Sequence, residues 1–164
     1  MLDTNEFLKK ALIIKAKNKS ELNILIARNF NKFLLAVQGS NDEVNRAAVE
    51  NKKVSILLNP EIERRHDFGD WKNSGLNDVL CKLAFQNNVA IGIDLSAIPE
   101  DKLEKSLRIG KIMQNIRLCR KFKTKMLIFS SKKQMNSSDL MSIAFSLGMS
   151  TKQAKESLDL KEKS

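Results

Sequence analysis

Five short apolar runs punctuate the chain: Leu12-Ile13-Ile14, then residues 33–37, 54–58, 89–93 and 126–129. Each run is continuous. A strand with one wet face alternates apolar and polar residues, whereas a continuous run is dry on both faces, as in a parallel sheet covered by helices. Other segments carry the spacing of a helix. Asn41 is an N-cap candidate, and Val44, Ala47 and Ala48 form a stripe behind it. Leu76, Val79, Leu80, Leu83 and Ala84 form a second stripe, with a cap expected at Asn73 or Ser74. The longest helix is expected from about Asp101 to Phe122. Its apolar stripe is Ile109, Ile112, Met113, Ile116 and Cys119, with Lys111, Gln114, Arg117 and Lys121 on the opposite side. Leu140, Ala144 and Leu147 share a face, and Gly148 stands where a helix C′ residue belongs. Ser150 with Gln153 has the spacing of a capping box. The tail from Leu160 to Ser164 is expected to fray.

Alternating strands and helices imply right-handed βαβ units, which build an open doubly wound sheet or a barrel. A complete eight-unit barrel usually takes ~250 residues and at least ~200. The chain has 164 residues and five clear strands, so the pattern alone favours the open sheet in a single domain, 1–164. The six glycines form neither GxGxxG nor GxxxxGK, so the phosphate loops common in such sheets are missing.

The apolar fraction of 42% excludes a disordered chain. No apolar run approaches the ~20 residues of a membrane helix, and Met1–Glu6 is not a signal sequence. A cytoplasmic protein is expected, with Cys81 and Cys119 as buried free thiols.

Charge changes the picture more. The net charge is +10, but residues 1–100 hold 14 basic and 13 acidic side chains, and residues 101–164 hold 15 and 6. From Lys105 to Ser138 there are ten cations and no acid. A solvated face usually mixes signs so that i,i+4 pairs form. Ten charges of one sign repel, and a polyanion, RNA or DNA ahead of acidic protein or lipid, relieves that repulsion.

Catalytic chemistry is harder to find. The loop from Asn59 to Asn73 holds His66, Asp67 and Asp70, which could serve a metal or an acid–base step or simply be a solvated polar loop. His66 is the only histidine, and no GxSxG elbow exists. The same loop carries Arg64, Arg65, Trp71 and Lys72. Trp71 could stack on an unpaired base beside phosphate-holding cations, or tuck onto the sheet edge.

Several segments line up with one family. They are Val37-Gln38-Gly39 with Asn45-Arg46, Ile56-Leu57-Leu58-Asn59-Pro60, and Ser74-Gly75-Leu76-Asn77. Asn88-Val89-Ala90-Ile91-Gly92-Ile93-Asp94-Leu95, Arg120-Lys121-Phe122-Lys123 and Ile128-Phe129-Ser130-Ser131 follow. Leu147-Gly148-Met149 and Ala154-Lys155-Glu156-Ser157-Leu158 come last. In this order and spacing, over about residues 33–160, the chain resembles the archaeal ribonuclease P protein component 3 family, the family of the thirty-kilodalton subunit of the human enzyme.

The resemblance implies an α/β, TIM-barrel-like fold related to the metal-dependent PHP phosphoesterases, with parallel strands and outer helices. Family members are longer, and the N-terminal 30 residues match poorly. A shortened or incomplete barrel is therefore expected, its first unit reduced or absent. The implied function is support of precursor-tRNA 5′ leader removal by binding the catalytic RNA subunit. Mg²⁺ is expected on that RNA, and no catalytic, metal or cofactor site in this chain. The implied partners are ribonuclease P RNA, precursor tRNA indirectly, and other protein subunits. One small subunit would be the direct partner, and two such pairs could form a heterotetramer.

By position, the family's RNA contacts fall near Arg46, Lys72, Arg120, Lys121, Lys123 and Lys132, and the basic run adds Arg117 and Lys133. The family often has Arg-Lys where Trp71-Lys72 stands, and His where Asp78 stands. The competing expectations are a stand-alone metal phosphoesterase using His66, Asp67 and Asp70, and a scaffold whose basic face meets only protein.

Overall fold

Short polar side chains open all six described helices. Asn18, Asn41, Asn77, Asp101, Asn136 and Ser150 each accept a hydrogen bond from the backbone N–H three residues on, at 2.8–3.3 Å. Each such cap satisfies a donor that the helix cannot, a contribution of about 1 kcal/mol. Ser150 and Gln153 form the expected capping box, and Gly148 takes the expected left-handed turn at φ +92°. The second cap moves from Asn73 or Ser74 to Asn77. Gly75, at φ +76°, keeps the chain out of the helix until then. The buried stripe of that helix is Leu80, Cys81 and Ala84, while Val79 faces outward.

The computed structural model describes residues 2–3, 10–63 and 72–160. Arg64, Arg65, His66, Asp67, Asp70, Trp71 and the tail beyond Leu160 lie outside them. In chain order the elements are β1 (Leu2–Asp3), β2 (Ala11–Ile14), α1 (Lys19–Asn29), β3 (Leu34–Gln38), α2 (Asp42–Glu50), β4 (Val54–Leu58) and α3 (Asp78–Gln86). Then come β5 (Ala90–Asp94), a 3₁₀ turn (Leu95–Ala97), α4 (Lys102–Phe122), β6 (Met126–Phe129), α5 (Ser137–Ser146), α6 (Thr151–Ser157) and β7 (Asp159–Leu160).

Strands β2 to β6 form one parallel sheet in strict chain order. β1 and β7 pair separately as a short antiparallel ribbon, Leu2 opposite Leu160. This order corrects the open doubly wound sheet that the pattern alone favours. A doubly wound sheet reverses strand order at a switch point, and here it never reverses. Successive right-handed crossovers in one direction lay their helices along one face, as in a barrel wall. Accordingly α1 packs on α2, α2 on α3 and α3 on α4.

At the N-terminal side of the sheet, β2 and α1 form a strand–helix unit that pairs with β3. Its helix buries Leu22 and Ile26 but exposes Ile24, which blurs its apolar period.

The sheet separates two apolar clusters. On the helix side Leu35, Val37, Leu57, Ile91, Ile93 and Ile128 meet the helices. On the opposite face Ala36, Ile56, Leu58, Ala90, Leu127 and Phe129 form a smaller cluster. Gly92 lies among the latter, since a Cβ there would stand 2.6 Å from Leu58 Cδ2 and 3.0 Å from Ile56 Cγ2.

Polar staples hold the C-terminal ends of the strands. Buried Asn45 accepts from the Ser40 N–H at 3.0 Å and donates to the Pro60 and Gly75 carbonyls at 3.1 and 3.2 Å. Asn59, at φ +44°, accepts from the Asp94 N–H at 2.9 Å. Gly39 packs against these turns so closely that a Cβ would lie 2.6 Å from Pro60 Cα and 2.7 Å from the Asn59 carbonyl.

Cys81 of α3 and Cys119 of α4 are buried free thiols, as expected. The hydrogen bond that the Cys119 thiol donates to Cys81, then burial, then the Coulombic effect of Cys81, push the Cys119 thiol above its ordinary range.

Two outcomes follow. Gly39→Ala must move backbone and should cost about 2 kcal/mol in urea unfolding. Because the folded Cys119 thiol titrates above the unfolded one, its stability contribution is complete below the ordinary thiol range. It is lost as pH rises above about 8.5. The urea midpoint should therefore fall more steeply between pH 8 and 9.5 in the native protein than in Cys119→Ala; equal slopes would remove the thiol from the cause.

Candidate nucleic-acid interface

Parallel strands in chain order give the sheet two unlike rims. The upper rim, at the strand C-termini, carries strand-to-helix loops; the lower rim carries helix-to-strand turns. Lysines gather at the lower rim. Lys10 precedes β2, Lys32 precedes β3, Lys52 and Lys53 precede β4, and Lys123 and Lys125 precede β6. The turns 30–33, 51–53, 87–89 and 123–125 contain no Asp or Glu. Four helix C-termini, α1 to α4, also end there. Their dipoles contribute about −0.5 charge each, roughly −2 in all. Six lysines outweigh that. The upper rim mixes signs, with Glu61, Glu63, Asp94, Glu100 and Asp101 beside Lys15, Lys17, Lys132 and Lys133.

The eight RNA-binding residues expected from sequence divide by place and by engagement. Arg117, Arg120, Lys121 and Lys123 gather at the lower end of α4. Lys132 and Lys133 lie beyond the other end of β6, at the upper rim. Arg46 is on α2, and Lys72 lies across α4, where a Cβ on Gly110 would stand 2.9 Å from Lys72 Cε.

Among the described residues, three of the eight have side-chain partners within the chain. Arg46 pairs with Glu50 at 2.8 Å, and Lys121 with Asp78 at 2.9 Å. Arg120 donates to the Gly148 carbonyl and to Gln153 Oε1, tying α4 to α6. Arg117, Lys123, Lys132 and Lys133 are exposed and make no ion pair among the described residues.

The run is therefore not a uniform solvated face. Arg108 donates to the Ala97 and Ile62 carbonyls at 3.0 and 3.1 Å, bracing two upper loops. Lys111 is only 8% exposed. Gln114, expected on the solvent side with Lys111, donates to the Lys72 carbonyl at 2.6 Å and to Ser74 Oγ at 3.1 Å. The incoming segment to α3 covers this side of α4, which the periodicity of one helix could not reveal.

Asp94 places the upper pair of lysines. Its carboxylate accepts from the Ser96 N–H at 2.9 Å, the Ser131 N–H at 3.0 Å and the Ser131 hydroxyl at 2.6 Å. Ser96 Oγ then accepts from the Lys132 N–H at 3.0 Å. The carboxylate is thus engaged in shaping the loop. Among the described residues, no group of three or more His, Cys, Asp and Glu could hold a metal ion.

Lys123 adopts φ +57°, the left-handed C-cap position that glycine takes most cheaply. The lower-rim residues Lys10, Lys32 and Lys53 do not stand out in the sequence, being neither in the acid-free run from Lys105 to Ser138 nor in the loop from Asn59 to Asn73. Their signal is positional: each stands just before an apolar strand.

Comparison with known proteins points to one family. Residues 10–163 match the family described as RNase P subunit p30. Ribonuclease P protein component 3 of Methanosarcina acetivorans is 36% identical over 116 residues, covering 70% of this chain and 45% of that protein. The Thermococcus gammatolerans protein of the same name is 31% identical over 161 residues, 95% of this chain and 71% of that protein. A chain in the cryo-EM structure of archaeal ribonuclease P with mature tRNA is similar at TM-score 0.75 and 25% identity, over 90% of this chain and 63% of that one. The chain spans about half the length of relatives such as the Methanosarcina protein.

Stability should separate tied cations from untied ones. Arg120→Ala should cost about 1 kcal/mol by freeing the Gly148 carbonyl, whereas Arg117→Ala should stay within about 0.5 kcal/mol. Lys123→Gly should stabilise by about 0.5–1 kcal/mol through relief of the left-handed cap. Chemical unfolding of the three variants checks the order.

Proposed function

This chain belongs to the RNase P subunit p30 family, and from that premise we propose that it is a non-catalytic protein subunit of an archaeal ribonuclease P. It supports removal of the 5′ leader from precursor tRNA by gripping the catalytic RNA. The observation that carries this reading is the lower rim and the adjoining end of α4. Cations stand there at the start of four of the five sheet strands, without an acid in the turns between. Such a surface holds phosphates and releases their counterions.

In this reading the eight residues Arg46, Lys72, Arg117, Arg120, Lys121, Lys123, Lys132 and Lys133 act as RNA contacts. Arg117 and Lys123 meet phosphates directly. Arg46, Arg120 and Lys121 share their charge with the partners that hold them in place. Lys132 and Lys133 serve a second contact at the upper rim. Mg²⁺ serves the RNA subunit, and this chain contributes position and charge.

A small second protein subunit is the direct protein partner, with two such pairs joining on the RNA. Leu103 and Leu107, 69% and 45% exposed and one turn apart on α4, support that part as an apolar strip suited to a protein contact. A cytoplasmic setting belongs to the same reading; no described helix is long and apolar enough to cross a membrane.

Reconstitution tests the proposal. Precursor-tRNA cleavage by the RNA subunit and its other proteins should rise when this chain is added. Its affinity for the RNA subunit should fall about 10²-fold between 50 and 200 mM salt, as expected for about five phosphate contacts. Unchanged cleavage would overturn the role, and a flat salt response would overturn the electrostatic grip. Phosphodiester hydrolysis by the protein without RNA would favour the phosphoesterase alternative.

A further inference from the structure

The lower rim holds a feature that the basic run on α4 does not include. Beside the starts of β2 and β3 lies an open cleft of about 610 Å³, lined by Lys10, Ala11, Phe30, Lys32, Phe33 and Leu34 among others. Phe33 is 49% exposed and Phe30 36%. Lys53, from the next turn, places its Nζ 3.6 Å from the centre of the Phe30 ring. Three successive elements thus bring three exposed ammonium groups around two phenyl rings. Among the described residues, the turns 30–33 and 51–53 carry no carboxylate, and Glu50, at the end of α2, is already engaged by Arg46 and Lys19.

We propose that this cleft seats an unpaired nucleotide of single-stranded or bulged RNA, as a contact separate from the α4 cations. The proposal rests on the reading of the chain as an RNA-binding protein, and it names which RNA feature one surface takes. Phe33 offers a ring face for stacking. Phe30, held by the Lys53 ammonium, forms a second apolar wall. Lys10 and Lys32 stand where the phosphates flanking a stacked base would pass. Bases within a duplex keep their faces covered and cannot enter such a cleft, whereas an unpaired base can. A purely apolar protein segment fits less well, because docking it would strip water from three ammonium groups without giving them a counter-charge. Stacking tolerates any base, so the cleft selects for strandedness rather than sequence.

The test uses the full chain and two fluorescein-labelled RNAs of equal nucleotide number, an unstructured oligouridine of about 24 nucleotides and a duplex of about 12 base pairs. Binding is read by fluorescence anisotropy across a salt series. Phe33→Ala should weaken oligouridine binding about tenfold without changing its salt slope, and should leave duplex binding unchanged. Phe33→Leu keeps an apolar side chain but removes the ring face, and should weaken oligouridine binding similarly. Lys32→Ala should lower the slope by about 0.7. Urea unfolding verifies that the variants are folded, as expected for substitutions at exposed positions.

Oligouridine affinity that is unchanged in both Phe33 variants would overturn the proposal. So would an equal loss for oligouridine and duplex. If Phe33→Ala instead abolishes association with the other protein subunits while oligouridine binding persists, the cleft is a protein contact and the proposal fails. The broader reading fails separately: it falls if reconstituted cleavage ignores this chain, whatever the oligouridine result.

Discussion

Adding parallel strands in chain order constrains everything else in this molecule. Each strand must be regained by a right-handed crossover, and successive crossovers in one direction keep their helices on one face. The helices therefore end at the same rim, each delivering a C-terminus and a short turn there. The acid-poor turns at Lys32, Lys52-Lys53 and Lys123-Lys125 become neighbours only because of that constraint. In sequence they are separated by whole strand–helix units.

The opposite rim is organised by hydrogen bonds. Asn45, Asn59 and Asp94 each join loops from different strands, so the upper loops hold their shape through side chains that present no free chemistry. In barrel folds the strand C-terminal rim is the usual place for catalysis. Here the Asp94 carboxylate is spent on the β6–α5 loop, and the excess charge lies at the other rim.

The basic run also shows why charge in sequence and charge on a surface differ. Arg108 and Arg120 act as braces for carbonyl groups, Lys111 is covered, and Lys121 has its own carboxylate. Exposed cations such as Arg117 and Lys123 keep most of their charge for a partner. Lys123 does so in a backbone conformation that favours glycine, so its side chain stands there at some cost to stability.

The sequence by itself determined the five strands, the long α4, the Ser150–Gln153 capping box and the Gly148 turn. Apolar continuity, helical period and capping chemistry are local properties, and no tertiary contact is needed to read them. The family was also legible, through motifs at Asn88–Leu95 and Leu147–Leu158. Tertiary structure decided the strand order, the β2–α1 unit, the cover over Lys111 and Gln114, and the collar of Lys10, Lys32 and Lys53. All of these depend on which distant segments meet. A pattern of apolar residues says that a strand is buried on both faces, but not which strand lies beside it or which end of it collects charge.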